Sequence, residues 1–167
     1  MVLNLIPITG TYSGVLGLYY FYLIVGVGKS RSKAKLPNGD GSQQYIQDIV
    51  AKSKEGNDSV ANIDLTRYNN VYANLRSQLN FNEFVPYMLI LSAVMELHGA
   101  NSKFLNGLML TFTLGRVAHA EFGLKAKDFR GYGRLVGALT TMSGIIIGSI
   151  GSIYLSNKAC IDGYLFK

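Results

Sequence analysis

The chain has 167 residues, enough for one domain, with 49% of them apolar, 16% charged and a formal charge of +6. The apolar residues fall in long blocks, which argues against an ordinary soluble domain. The cations gather beside those blocks, so the basic balance does not point to nucleic acid. With a single cysteine, Cys160, no intrachain disulfide forms, and no cysteine–histidine cluster offers a metal site.

The first element is an uncharged run over residues 5–27, long enough to cross a hydrocarbon layer of ~30 Å. No basic residue precedes it and it outruns the h-region of a cleaved signal peptide, so it is expected to stay as a transmembrane helix. Residues 28–70 form a long polar connection. Within it, the Pro37-Asn38-Gly39-Asp40-Gly41 cluster predicts a turn. Ile46, Ile49 and Val50 then share a face of a weakly amphipathic run over 45–54, which suits a short interfacial helix or a flexible loop. A second span covers 71–97. A very short connection, 98–103, forces an antiparallel turn into a third span over 104–124. The fourth span covers 133–155 and is uncharged from 135 onward. The fold class is therefore all-α: an integral membrane four-helix bundle in the lipid bilayer.

Basic residues favour the first connection (Lys29, Arg31, Lys33, Lys35, Lys52, Lys54, Arg67) and the third (Lys125, Lys127, Arg130). Only Lys103, Lys158 and Lys167 fall on the other side. Loops one and three are thus expected in the cytoplasm, which leaves the Asn57-Asp58-Ser59 sequon unused. Gly10 with Gly14, Gly133 with Gly137, and Gly144 with Gly148 are small-xxx-small pairs that mark close helix contact.

Chemistry concentrates in three places. On the second span, Arg76, Asn80 and Glu83 recur at i, i+4, i+7, a single polar stripe flanked by Gln78. The third span carries Arg116 and His119 on one face, with Glu121 after them. Arg130, Tyr132 and Arg134 stand where the chain enters the fourth span. Ionisable groups at such depths cost several kcal/mol unless they pair or face a polar cavity. Arg76, Arg116 and Arg130 against two acids expected to be buried, Glu83 and Glu121, leave a surplus of positive charge that attracts an anion. Guanidinium forks suit carboxylates, while Glu83, Asn80 and Gln78 receive ammonium or amide donors. Glutathione fits, although residue types alone do not select it over a lipid headgroup or a nucleotide. Plainer readings are a snorkelling Arg76, a structural ion pair on Glu83 and a packed His119. Glu96 and His98, at the opposite edge, are expected to face headgroups.

The segment Arg76-Ser-Gln-Leu-Asn-Phe-Asn-Glu-Phe-Val-Pro86 resembles the second-helix signature of the MAPEG family, the membrane-associated proteins of eicosanoid and glutathione metabolism. Gly115-Arg-Val-Ala-His119 is similar to the family's third-helix motif. Arg130-Gly-Tyr-Gly133, continuing to Gly137, and Asn38-Gly-Asp-Gly41 resemble its bacterial and fungal branch. The resemblance implies a homotrimer of four-helix protomers with glutathione in crevices between subunits near the cytosolic face. By position it implies that Arg76, Asn80 and Glu83, with Gln78 alongside, hold the tripeptide's charged and amide groups. Arg116 adds a contact from the third span, and His119 and Tyr132 belong to the same candidate set. Arg130 corresponds to the arginine proposed to stabilise the thiolate, with Arg134 as the alternative.

The implied activity is that of a glutathione transferase or peroxidase acting on a hydrophobic electrophile or a lipid hydroperoxide. The membrane would be the endoplasmic reticulum or mitochondrial membrane in a eukaryote and the inner membrane in a bacterium. Two departures argue against an eicosanoid synthase: His119 and Gly123 stand where those members carry tyrosines, and the first loop is longer than usual. The competing reading is a non-catalytic subunit that uses the bundle as a packing scaffold.

Overall fold

The structure, a computed structural model, describes residues 5–54 and 63–165, so the Asn57-Asp58-Ser59 sequon lies outside the described residues. In chain order the helices are α1 (Pro7–Ala34), α2 (Ser42–Ser53), α3 (Leu65–Leu97), α4 (Ser102–His119), α5 (Gly133–Ser156) and α6 (Lys158–Leu165). A π turn (Ala120–Leu124) and a 3-10 turn (Lys127–Phe129) join α4 to α5. The described residues contain no strand.

Each long helix starts where its exposed backbone N–H groups find an acceptor. Asp64 caps α3 by accepting from the Thr66 N–H (2.9 Å), and Asn101 caps α4 by accepting from Lys103 (3.0 Å) and Phe104 (3.1 Å). The α1 terminus has no local cap, and Pro7 at its first turn carries no N–H. Its next two donors, Ile8 and Thr9, each give a 2.8 Å hydrogen bond to one carboxylate oxygen of Glu96, at the far end of α3. This corrects the expectation that Glu96 faces headgroups. A carboxylate on a helix N-terminus gains both hydrogen bonds and the macrodipole, which lipid headgroups do not offer. His98 stays exposed and bonds back to the Val94 carbonyl (2.9 Å).

Helix α1 continues past the expected polar boundary at Gly28. It ends in a Schellman turn, with Lys35 left-handed at φ 54° and the Leu36 N–H on the Arg31 carbonyl (3.0 Å). Over residues 35–54 the first connection is then a folded cap rather than a free loop. Helix α2 sits on the opening turns of α3, where Tyr45 meets Tyr68 with ring centroids 5.2 Å apart. Asp48 accepts from the Tyr68 hydroxyl, from Gln44 (3.2 Å) and from Arg67 Nη2 (3.0 Å). Ala34, Leu36, Tyr68 and Val71 are buried beneath it, while Ile46 and Val50 point outward.

The Tyr68 hydroxyl first, then Gln44 and Arg67, hold the Asp48 carboxyl below the usual carboxylate range. A depressed acid stabilises the docked state fully above its unfolded pKa, and that contribution fades only as pH falls through the lower folded value. Docking of α2 is therefore expected to be pH-independent between about pH 5 and 8. Asp48→Asn is expected to speed amide exchange across Ser42–Ser53 by up to about fivefold, with α4 and α5 unchanged. Hydrogen-exchange mass spectrometry checks both.

Helices α1 and α5 are long and apolar enough to cross a membrane. Only 17% of the apolar window of α1 and 28% of that of α5 are buried inside the protein, too little for the core helices of a soluble domain. Their outward faces (Leu18, Phe21, Leu135, Leu139, Ile146, Ile150) suit lipid or a second subunit. Helices α3 and α4 do not pass the same test, since polar residues interrupt them. Helix α1 packs mainly along α3, α4 along α5, and α3 against α5. The short turn between α3 and α4 makes them neighbours, yet their own contact is slight. The buried face of α3 is turned mainly to α1 and α5. Phe81 and Val85 join Leu16 and Leu23 of α1 in one core, and Met88 and Leu91 fill the space left by Gly144 and Gly148 on α5.

Candidate functional site

Three helices meet around Arg116, which α4 buries to 2% exposure. The approach is close because α5 has no side chain where it crosses α4. A Cβ on Gly137 would fall 2.6 Å from the Gly115 carbonyl oxygen and nearer still to the Cβ of His119. With the backbones this near, Thr141, one turn after Gly137, reaches the guanidinium. Arg116 Nη1 donates to Thr141 Oγ1 at 2.8 Å, and Nη2 donates to Asn80 Oδ1 of α3. The Phe84 ring lies against the guanidinium, its centroid 5.4 Å away.

All these partners are neutral. Arg116 Nε is buried with no hydrogen-bond partner, and among the described residues no carboxylate lies within ion-pair distance of the guanidinium. A buried cation held only by neutral groups, with one donor unspent, is costly. A cavity of about 150 Å3 opens beside it, lined by Asn80, Phe84, Arg116, His119, Thr141 and Met142 among others. His119 Nδ1 lies 3.1 Å from the Arg134 carbonyl oxygen, which can only accept, so this nitrogen carries the proton and Nε2 is left as the ring's other polar atom.

Of the residues singled out by sequence, the structure brings Asn80, Arg116 and His119 to one cavity. Glu83 is exposed and touches the cluster only through a long 3.5 Å contact from Asn80 Nδ2. Arg76 is exposed one turn before Asn80. Gln78 turns the other way and donates to the Tyr20 hydroxyl of α1 at 3.1 Å. Arg130 and Arg134 are exposed, Arg134 donating to the Phe129 carbonyl (3.3 Å), and Tyr132 is 92% exposed. Arg116 thus lines this cavity, while Arg76 and Arg130 lie outside its lining.

Glu121 faces no arginine. It accepts from Lys125 Nζ (2.7 Å) and from the Tyr19 hydroxyl (2.9 Å), because the π turn that begins at Ala120 ends α4 there. Among the described residues, neither Glu83 nor Glu121 forms an ion pair with an arginine. Thr141 and Phe84 complete the site and were not singled out by sequence. The only signal for Thr141 is its place one helical turn after Gly137, and a lone threonine in an apolar span ordinarily reads as packing.

The donor set fits a carboxylate: Arg116 offers an unspent N–H, Asn80 is an adaptable amide, and the lining is otherwise apolar. At about 150 Å3 the cavity is smaller than the ~300–1,000 Å3 of ordinary ligand pockets and has room for a single carboxylate-sized group. Comparison with curated proteins and with solved structures finds no match. A model of the MAPEG family, by contrast, matches residues 9–153, from the first turns of α1 to the last turn of α5 and across every residue of the site. The chain belongs to the MAPEG family of membrane-bound proteins.

Proposed function

We propose that this protein is a homotrimeric, glutathione-dependent transferase or peroxidase acting on hydrophobic electrophiles that reach it from the bilayer. The observation that carries this reading is Arg116, buried among neutral partners with Nε unspent beside a cavity too small for a whole ligand. Such a group calls for an anion. A second subunit against the exposed face of α3 and α5 would close the remainder of the site around Arg76, Glu83 and Arg130.

In this reading a glutathione carboxylate enters the cavity to Arg116 and Asn80. Arg76, Gln78 and Glu83 hold the outer carboxylate, amide and ammonium groups, and His119, Tyr132 and Arg134 border the crevice. Arg130 faces the sulfur, with Arg134 as the alternative. A thiol of pKa near 8.5 is only a few per cent ionised at neutral pH, and each unit by which a guanidinium lowers it is worth ~1.4 kcal/mol. The thiol proton leaves to solvent. The thiolate then forms a carbon–sulfur bond as the leaving group departs, or reduces a hydroperoxide to the alcohol and water while two glutathiones become the disulfide. The basic first and third connections would lie in the cytosol, where glutathione is supplied.

Purified in detergent, the protein is expected to bind glutathione saturably. Arg76→Ala and Glu83→Ala are each expected to weaken that binding at least tenfold in calorimetry. Turnover of an aryl halide or cumene hydroperoxide is expected to fall about 10²–10³-fold in Arg130→Ala. Binding without turnover would favour the scaffold reading, and absence of binding would end the enzyme reading.

A further inference from the structure

We propose that a second site, in the cavity between the last turns of α1 and the first turns of α3, binds a phosphate-bearing anion. The cavity holds about 510 Å3, within the range of ordinary ligand pockets and more than three times the size of the one at Arg116. Lys29 and Lys33 enter it one helical turn apart on α1, and Arg67 enters from α3. Thr66, Asn70 and Asn74 add hydroxyl and amide groups on the α3 side. Asn74, the lining residue nearest Arg76, is two residues and about 200° around the helix from it, so this cavity opens on a different face of α3 from the one that carries Arg76.

Charge and hydrogen bonding both favour an anion here. Lys29, Lys33 and Arg67 outnumber the one acid in the lining, Asp64, which caps α3, while Asp48 is held by Tyr68, Gln44 and Arg67. Among the described residues neither Lys29 nor Lys33 forms an ion pair. Arg67 spends Nη2 on Asp48 and the Tyr68 hydroxyl, while its Nε is buried and has no partner. The positive end of the α3 dipole lies at the same place. Phosphate is favoured over carboxylate by the donor types. Two lysines are point charges that suit a tetrahedral anion, and Arg67 already has one of its terminal nitrogens committed to a carboxylate. The phosphate has two sources, a soluble phosphate ester or the headgroup of an anionic phospholipid at the basic end of the bundle.

The test uses the full chain, native and as the double variant Lys29→Gln, Lys33→Gln. Lys29 and Lys33 are exposed and Arg67 is left in place to keep α2 docked. In detergent, inorganic phosphate is titrated at constant ionic strength by calorimetry. In nanodiscs of phosphatidylcholine and phosphatidylserine, native mass spectrometry counts the lipid retained. Saturable phosphate binding weakened at least tenfold in the double variant supports a soluble ester. Selective retention of phosphatidylserine by the native chain alone supports a headgroup. Lys103→Gln, at the opposite end of the bundle, is expected to change neither. The proposal is overturned if neither ligand is held, if the double variant holds them equally well, or if Lys103→Gln abolishes binding too.

Discussion

Replacing Arg116 by methionine is expected to abolish the response to glutathione while leaving the ligand-free protein about as stable as before. The side chain is 2% exposed, and what it touches is an amide, a hydroxyl and a phenyl ring. Keeping a cation there costs several kcal/mol of desolvation, and among the described residues no carboxylate lies within ion-pair distance to offset it. Removing it leaves Asn80 and Thr141 without a donor, at about 1–3 kcal/mol for each group that stays unsatisfied. Asn80 is only half-buried and can turn to water, and Thr141 keeps its 2.6 Å bond to the Gly137 carbonyl. The two effects therefore nearly cancel. For binding they do not cancel, because a carboxylate taken into this cavity would face no cation. The loss is about 2–5 kcal/mol, at least thirtyfold in affinity. Thermal unfolding in detergent should show a glutathione-dependent rise in the native protein and none in Arg116→Met. If Arg116 served only to hold helices together, the variant would instead unfold well below the native protein whether or not glutathione is present. Arg116→Lys is expected to bind weakly, since an ammonium cannot span Asn80 and Thr141 as the planar fork does.

Which parts of this were legible beforehand follows from what each signal measures. Hydropathy marks where lipid begins, not where a helix ends. Residues 5–27 were visible as a span, whereas the continuation of α1 through Lys29, Arg31 and Lys33 to Ala34 was not. Helical spacing says which residues share a face but not where that face points. Arg76, Asn80 and Glu83 do share one, yet the buried stripe of α3 runs one residue over, through Ser77, Phe81, Val85 and Met88. Asn80, at the margin between the two, reaches inward; Arg76 and Glu83 stay out. Depth in the membrane was equally incomplete as a guide for acids. The height of Glu96 in the membrane says nothing of the open end of α1 beside it. The sign and level of Glu121 suit an arginine, yet the π turn gives it to Lys125 and Tyr19. Motif order was the more dependable guide, because the matched segments span three helices whose spacing a single packing arrangement must satisfy.

The glycine seam between α4 and α5 is expected to reject a methyl group at Gly137. Alanine there gains about 1 kcal/mol of helix propensity, so a neutral site would be stabilised. At Gly137 the added carbon meets the Gly115 carbonyl oxygen at 2.6 Å, His119 Cγ at 2.9 Å and the His119 Cβ more closely still. Backbone and Cβ atoms cannot rotate aside as the tip of a long side chain can, so the helices must part, at a cost of about 1–3 kcal/mol or more. Parting them also strains the site, since Thr141 reaches Arg116 and His119 reaches the Arg134 carbonyl across this same seam. Gly137→Ala is therefore expected to lower the unfolding midpoint by several degrees and to weaken glutathione binding in the same preparation. Gly28→Ala is the matched control: it is helical in α1, and no atom lies within 4 Å of where its Cβ would stand. That variant should be neutral or slightly more stable. Equal behaviour of the two would mean that α5 does not need its missing side chain to reach α4, and the geometry that delivers Thr141 to Arg116 would lose its cause.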